Sequence, residues 1–419
     1  MTTFKKHLLA LLLLSLGFQV SAQELHWPQW RGPDMNGIAK GNPPIEWSES
    51  KNIKWKTNIP GEGLGTPVAT GDLIFFTSAV RQSNNEVAFY AYAINRKDGK
   101  IQWQKKLTQK ESHAKIHAVN TYASASCITD GEYVIAFLGS YGLFCLDMGG
   151  NIIWKKDYIN YGFKDPYAQG EGSSPFLYKD NLIVVYDHDG NSNIQVFDVK
   201  TGKSRWMKRR NEEISWATPI VYEGKKYTHI IVPGHKGSIG YDINNGAQLW
   251  RISGLGSSII TTPSFEDDIL ILNTGYWGGD KMQALDLKKL DAGVNPPSAL
   301  LWEKNHSTPY VCTPQIYDGK VYYIDHNRTS ISCVDLYTGK EYYSGQRPGN
   351  LGNIYASPIV ADGHIYFLDR RGRCAVIEAG GSFKTISINA LQDQTDASPI
   401  IVEDKLIIRG HNAIYCIED

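Results

Sequence analysis

A short phrase returns eight times along this 419-residue chain, and its spacing leaves little freedom of fold. Each copy opens with Ser or Thr, usually followed by Pro. The openings are Thr66-Pro67, Ser124-Ala125-Ser126, Ser174-Pro175, Thr218-Pro219, Thr262-Pro263, Thr313-Pro314, Ser357-Pro358 and Ser398-Pro399. A β-rich run, a turn and a second strand follow. A third strand then ends on Asn95, Asp147, Asp198, Asp242, Asp286, Asp335, Glu378 or Glu418. Most openings are about 44 residues apart, and repeats of that length with several short strands each mark a radial β-array. The expected fold is all-β: an eight-bladed β-propeller with four-stranded antiparallel blades.

The second half of the phrase fixes the register. After the third strand a carboxylate caps a tight turn and Gly takes positive φ, as in residues 198–206. Trp55, Trp103, Trp154, Trp206, Trp250 and Trp302 then start the fourth strands, and each ring is expected to pack between neighbouring blades. The eighth copy stops after its third strand, whereas residues 52–57 form a Trp-bearing strand with no first three strands before it. This N-terminal strand is expected to close the ring and so remove its open sheet edges.

The N-terminus reads as an export signal: Lys5 and Lys6, an apolar run over residues 8–16, and small residues at Val20-Ser21-Ala22. The run is short for a membrane span, and no Cys follows it to take a lipid. The expected organisation is a signal peptide over 1–22, a Trp-rich arm over 23–50 and a single propeller over 51–419. The protein is expected to be monomeric and exported, periplasmic or extracellular, with no transmembrane segment and no lipid anchor. With 43 basic and 43 acidic residues, nothing suggests a nucleic-acid partner. Cys145, Cys333 and Cys416 take third-strand places held by Ala93 and Ala284 in other copies, so the six Cys are expected as free, buried fillers. First and third strands of one blade lie ~9.5 Å apart, beyond the reach of a disulfide.

The repeated acidic residue, Thr-Gly-Lys and Trp, seen in Val196-Phe197-Asp198 and on to Trp206, resembles the repeat of the pyrroloquinoline-quinone (PQQ) propellers. The resemblance runs over residues 53–419 as a repeat pattern. The segment Trp27-Pro28-Gln29-Trp30-Arg31-Gly32-Pro33 is similar to the opening of exported bacterial PQQ-like propeller proteins. On physical grounds Trp27 and Trp30 are expected to pin this arm to the ring. The superfamily includes quinoprotein alcohol dehydrogenases and BamB-type outer-membrane assembly factors. The resemblance therefore implies an eight-bladed ring and, for the dehydrogenase branch, PQQ with calcium. Those dehydrogenases carry a vicinal disulfide and a Glu, Asn and Asp set. This chain has no adjacent Cys, and no such set falls at matching positions. No cofactor is expected, and PQQ belongs to the alternative reading alone.

Propeller topology sorts the loops. Turns between first and second and between third and fourth strands share one face. Turns between second and third strands share the other face with the links between blades. That second face gathers His188, His235, Trp277, His326, Arg328, Arg370, Arg371, Arg409 and His411. Two links there are long: Trp103 to Ser126 spans 23 residues and Trp154 to Pro175 spans 21, against 13 from Trp206 to Pro219. The second long link carries Glu171. Tyr122, Trp216, Tyr310 and Tyr355 precede the inner strands and are expected to ring the channel mouth, a default ligand site. Asp187-His188-Asp189 is a weak cation signature. The insertion 287–300 falls on the opposite face and reads as a surface excursion. No nucleophile elbow, phosphate loop or His-Glu-x-x-His is present. The expected function is a binding or scaffold module for a protein or carbohydrate ligand, with a quinone-dependent oxidoreductase acting on alcohols or sugars as the alternative.

Overall fold

The computed structural model describes residues 25–113, 115–157, 163–253, 255–275, 279–325 and 327–419. They form eight antiparallel sheets arranged as the blades of a ring, over residues 68–111, 128–156, 176–209, 220–252, 264–304, 315–346, 359–390 and 400–417. Strand β1 (Leu25–Trp27) adds a fifth strand to the inner edge of blade 1. Strand β2 (Ile53–Asn58) supplies the fourth strand of blade 8 and pairs antiparallel with Ala413–Ile417, Trp55 opposite Cys416. The ring is thus closed by a strand from the opposite end of the sequence.

Two ladders explain why the phrase recurs. At the inner edge the Ser or Thr of one blade donates its backbone N–H to the hydroxyl of the same residue in the next. The run is Ser126 to Ser174 (2.9 Å), Ser174 to Thr218 (3.1 Å), Thr218 to Thr262 (3.0 Å), Thr262 to Thr313 (3.0 Å), Thr313 to Ser357 (2.9 Å) and Ser357 to Ser398 (3.0 Å). These groups are buried, and each pairing spares a backbone donor the cost of desolvation. At the outer edge, Trp55, Trp103, Trp154, Trp206 and Trp302 donate Nε1–H to Arg96, Met148, Val199, Ile243 and Leu336 carbonyls in the following blade. The turn glycines serve the same contact. Gly202 has a φ of +66°, and a Cβ there would also strike the Trp154 ring.

Blade 5 breaks this pattern. After Asp286 the chain forms α1 (Leu287–Asp291) and α2 (Pro296–Ala299), with Asp286 capping α1 through its carboxylate. This insertion is packed, in contrast to the surface excursion expected. Leu287, Leu290 and Ala299 are buried in the apolar core shared by blades 3 to 5, and the displaced turn leaves Trp250 without its usual acceptor. Trp250 Nε1–H instead reaches His229 Nδ1 at 3.1 Å, and His229 Nε2 meets Asp291 at 2.9 Å.

The N-terminal arm enters the ring from the face of the first-to-second-strand turns and crosses its axis. Thr129 N–H donates to Pro28 O, Leu177 N–H to Gln29 Oε1, and Val360 N–H to Gly37 O, which ties the arm to the inner strands of blades 2, 3 and 7. Arg31 is buried and donates to Pro358 O and to Gln315 Oε1 of blade 6; burial lowers its pKa to about 9. Trp27 is 1% exposed, while Trp30 packs partly buried against the core of blades 3 to 5. The arm then leaves over blades 8 and 7: Asn42 N–H donates to Asp404 of blade 8, and Trp47 stacks on Tyr366 of blade 7 on its way to β2. All six Cys are buried and free. Among the described residues no helix is long and apolar enough to cross a membrane. The leader over residues 1–22 lies outside them.

Candidate functional site

The two long links meet each other on the second-to-third-strand face, between blades 2 and 3. Asn120 Nδ2 donates to Gln169 O at 2.8 Å and to Glu171 O at 3.1 Å, and His117 N–H donates to Gln169 O. Trp216 pins the second link by donating Nε1–H to Gly170 O at 2.7 Å. Tyr122 fixes the first through its hydroxyl, 2.6 Å from Ser112 Oγ, with the Arg81 guanidinium 5.0 Å above its ring. Between the links and the turn 138–142 lies a half-open cleft walled by Phe137, Tyr141, Tyr186, Glu171, Asp187 and Ser215, among others.

Among the described residues Glu171 has no charged partner in this cleft. Its carboxyl accepts both the backbone N–H of Ser140, at 2.9 Å to either oxygen, and the Ser140 hydroxyl at 2.6 Å. Gly139 makes room for it: φ is +56°, and a Cβ there would run into the carboxyl. Desolvation outweighs these donors and pushes the Glu171 pKa up to about 7. His113 Nε2 lies 2.7 Å from the same Ser140 hydroxyl, and burial together with Lys110 lowers its pKa. His113, Ser140 and Glu171 therefore form a continuous hydrogen-bonded line.

Asp187 beside it is already matched. Arg210 Nε donates to it at 2.7 Å and Ser215 Oγ at 3.0 Å, with both members of the ion pair fully buried. Burial opposes the Arg210 charge, yet Asp187 and Tyr241 raise its pKa above the ordinary value. His188 is wholly buried under Phe163 and Tyr186; its Nδ1 accepts from Gly190 N–H and Lys164 N–H, and desolvation lowers its pKa to about 4. Asp187, His188 and Asp189 thus face separate partners, and among the described residues no group of three His, Cys, Asp or Glu is placed to hold a metal ion.

A second cluster lies across the ring at blades 6 to 8. Arg328 donates to the Tyr355 hydroxyl at 2.8 Å, and Arg370 sits 4.5 Å over the same ring. Arg370 also grips Asp396 with two bonds, 2.6 and 3.1 Å, while His411 Nε2 reaches Asp396 at 2.9 Å. Burial would raise the Asp396 pKa, but His411 and Arg370 hold it below the usual carboxylate range. Arg371 is exposed. Tyr310 is half-buried ahead of blade 6, and His235 lies 3.5 Å from Glu213 at blade 4. Arg409 is placed elsewhere: it is buried over Phe76 and donates to Gly65 O and Thr77 O, inside the seam of blades 8 and 1. Trp277 and His326 lie outside the described residues.

Sequence reasoning passed over Ser140, Tyr186, Arg210 and Asp396. The Gly139 and Gly142 pair flanking Ser140 was a signal, since it departs from the turns of the other blades. Asp396 two residues before Pro399's Ser carried none.

The family whose description is outer membrane protein assembly factor BamB matches residues 43–158, 128–253 and 235–419. BamB of Moranella endobia (strain PCIT) is 22% identical over 222 residues, 52% of this chain and 51% of that protein. The chain thus aligns with about half the length of that curated relative. In the crystal structure of BamB from Moraxella catarrhalis the likeness covers 87% of this chain and 98% of that one, with TM-score 0.59 at 14% identity. Quinohemoprotein alcohol dehydrogenase from Comamonas testosteroni gives TM-score 0.62 at 10% identity, over 94% of this chain and 80% of that one. At such identities the structural likenesses speak for the fold alone.

Proposed function

Starting from a chain that belongs to the family of the outer membrane protein assembly factor BamB, we propose an exported binding or scaffold propeller that captures a protein partner on its loop-rich face. The observation that carries this reading is the distribution of unlike structure. The opposite face is closed by the chain's own arm, whereas the loop-rich face holds the two long, mutually braced links and the Arg328–Tyr355–Arg370 cluster. Irregular loops held on a rigid scaffold are where recognition concentrates. Tyr122, Glu171, Trp216, Tyr310, Tyr355, Arg370 and Arg371 are the residues assigned to it, and the ligand class is protein rather than carbohydrate.

A quinone with calcium suits these residues poorly. The six Cys are separate and buried, no described cluster offers a metal three acidic, His or Cys ligands, and Arg31 fills the space among the inner strands of blades 6 and 7.

The test places p-benzoylphenylalanine at Trp216, Tyr310 or Arg371, and at Lys225 or Lys289 on the opposite face. Irradiated cell envelopes should give one defined protein adduct from the first set and none from the second. Adducts only from the second set, or only glycan adducts, would overturn the reading. Export with cleavage near Ala22 is part of it, and the intact mass of periplasmic or secreted material reads that directly.

A further inference from the structure

We propose that the cleft between blades 2 and 3 is a pocket for a primary ammonium group, presented as a lysine side chain of the partner protein. This rests on the protein-binding reading above and names what that face recognises.

Four observations converge. First, Glu171 forms no ion pair with any described residue, while neighbouring Asp187 is neutralised by Arg210 at 2.7 Å. The pocket therefore holds one unmatched carboxyl. Second, the groups that touch this carboxyl, the N–H and hydroxyl of Ser140 and the Tyr186 hydroxyl, are neutral donors, so a cation entering the cleft adds the first full charge complement. Third, Phe137, Tyr122, Tyr141 and Tyr186 line the cleft beside the hydroxyls of Thr121, Ser124, Ser173 and Ser215, and the aromatic part lowers the local dielectric and strengthens an ammonium–carboxylate contact. Fourth, the enclosed part of the cleft has room for a few water-sized groups only, which suits the end of a side chain and excludes a multi-ring cofactor.

The local hydrogen bonds prepare the charged form. When Glu171 is ionised, Ser140 Oγ–H donates to it along the 2.6 Å contact, and the Nε2–H tautomer of His113 extends the line by donating to Ser140 Oγ at 2.7 Å. The groups facing Glu171 are Ser140, Tyr186, Tyr141 and the carboxylate of Asp165, with His113 and Lys110 behind Ser140 and the Asp187–Arg210 pair alongside. With its pKa near 7, Glu171 is ionised for binding at alkaline pH and protonated at acid pH. A lysine ammonium stays charged throughout, so affinity should fall about 30-fold from pH 8.5 to 5.5.

The experiment uses the full chain and ligand-observed NMR titration with Nα-acetyl-lysine methylamide. The expected result is millimolar binding that vanishes with the Nε-acetylated probe, weakens at least tenfold in Glu171→Gln, and shows the stated pH dependence in the unaltered protein only. Equal binding of the acetylated probe, or full binding by Glu171→Gln, overturns the inference. So does tighter binding of free putrescine or glucosamine than of the lysine probe, which would make this a small-amine site. Should Glu171→Gln not fold, Ser140→Ala, which removes the hydroxyl that favours the ionised carboxyl, should still weaken the probe several-fold at neutral pH. Envelope adducts from Trp216 or Arg371 without lysine-probe binding would sink this inference and leave the wider reading standing. Probe binding without adducts would do the reverse.

Discussion

Glu171 and Asp396 are carboxyls on the same face, each enclosed between two blades, and they are solved in opposite ways. Asp396, whose side chain is 3% exposed, is held by Arg370 and His411 and titrates below the ordinary range. Among the described residues Glu171 is held by uncharged donors, and it titrates near 7. The first is a closed ion pair that ties the link between blades 7 and 8 to the second-to-third-strand turns of both blades. The second keeps an unanswered charge, which costs stability and leaves an electrostatic demand for something outside the chain. Removing one member of a buried pair and removing an unpaired, half-buried charge should therefore have opposite signs.

The largest expected effect is at the closed pair. Asp396→Ala leaves Arg370 uncompensated and His411 without an acceptor, and should lose about 3 kcal/mol in denaturant unfolding, since breaking such pairs costs roughly 3–5 and Arg370 is partly exposed. A loss under about 0.5 kcal/mol would mean that solvent already satisfies Arg370.

Glu171→Gln should instead stabilise the protein, by on the order of 2 kcal/mol at pH 8.5, with little change at pH 5 or below. The sign follows from the raised pKa. The folded state holds the Glu171 proton more tightly than the unfolded chain does. Stability is then fully present below the unfolded value near 4.5, and is lost as pH rises through about 7. Melting curves of both proteins between pH 5 and 8.5 should converge at the acid end. A parallel offset at every pH would show that the substitution acts through packing.

Gly139→Ala comes next, at about 1–2 kcal/mol of destabilisation, because the backbone is left-handed there and the new Cβ displaces the carboxyl. In the double variant with Glu171→Gln the clash remains but the charge does not, so a double-mutant cycle separates sterics from electrostatics. The smallest effect is at Arg371→Ala, an exposed side chain, which should move stability by less than about 0.5 kcal/mol while lowering partner adducts from Trp216. Unchanged adduct yield would remove Arg371 from the binding surface.

Much of the ring was legible residue by residue. The Ser/Thr openings became the inner hydroxyl ladder, and the Trp and turn Gly became the outer contact. The site was legible only in outline. Link lengths pointed to blades 2 and 3, and Glu171 fell within the second long link, but Arg409 looked the same in sequence as Arg370. One now lies in an inter-blade seam and the other on the rim.

The physical reason for the division is the range of the interactions. Blade contacts are nearest-neighbour and repeat at one spacing, so a single chain carries several copies of the same instruction, each confirming the others. Eight blades, their register, the closing strand and the free cysteines were determined at that level. A pocket carboxyl, by contrast, takes its properties from links that are distant in sequence and occur once. Whether Glu171 met a cation or a serine, whether His188 was exposed or sealed, and whether the Trp27–Trp30 arm lay on the ring or across its axis depended on unlike segments converging. Burial and pairing at those points are set by three-dimensional neighbours, and only the tertiary structure decided them.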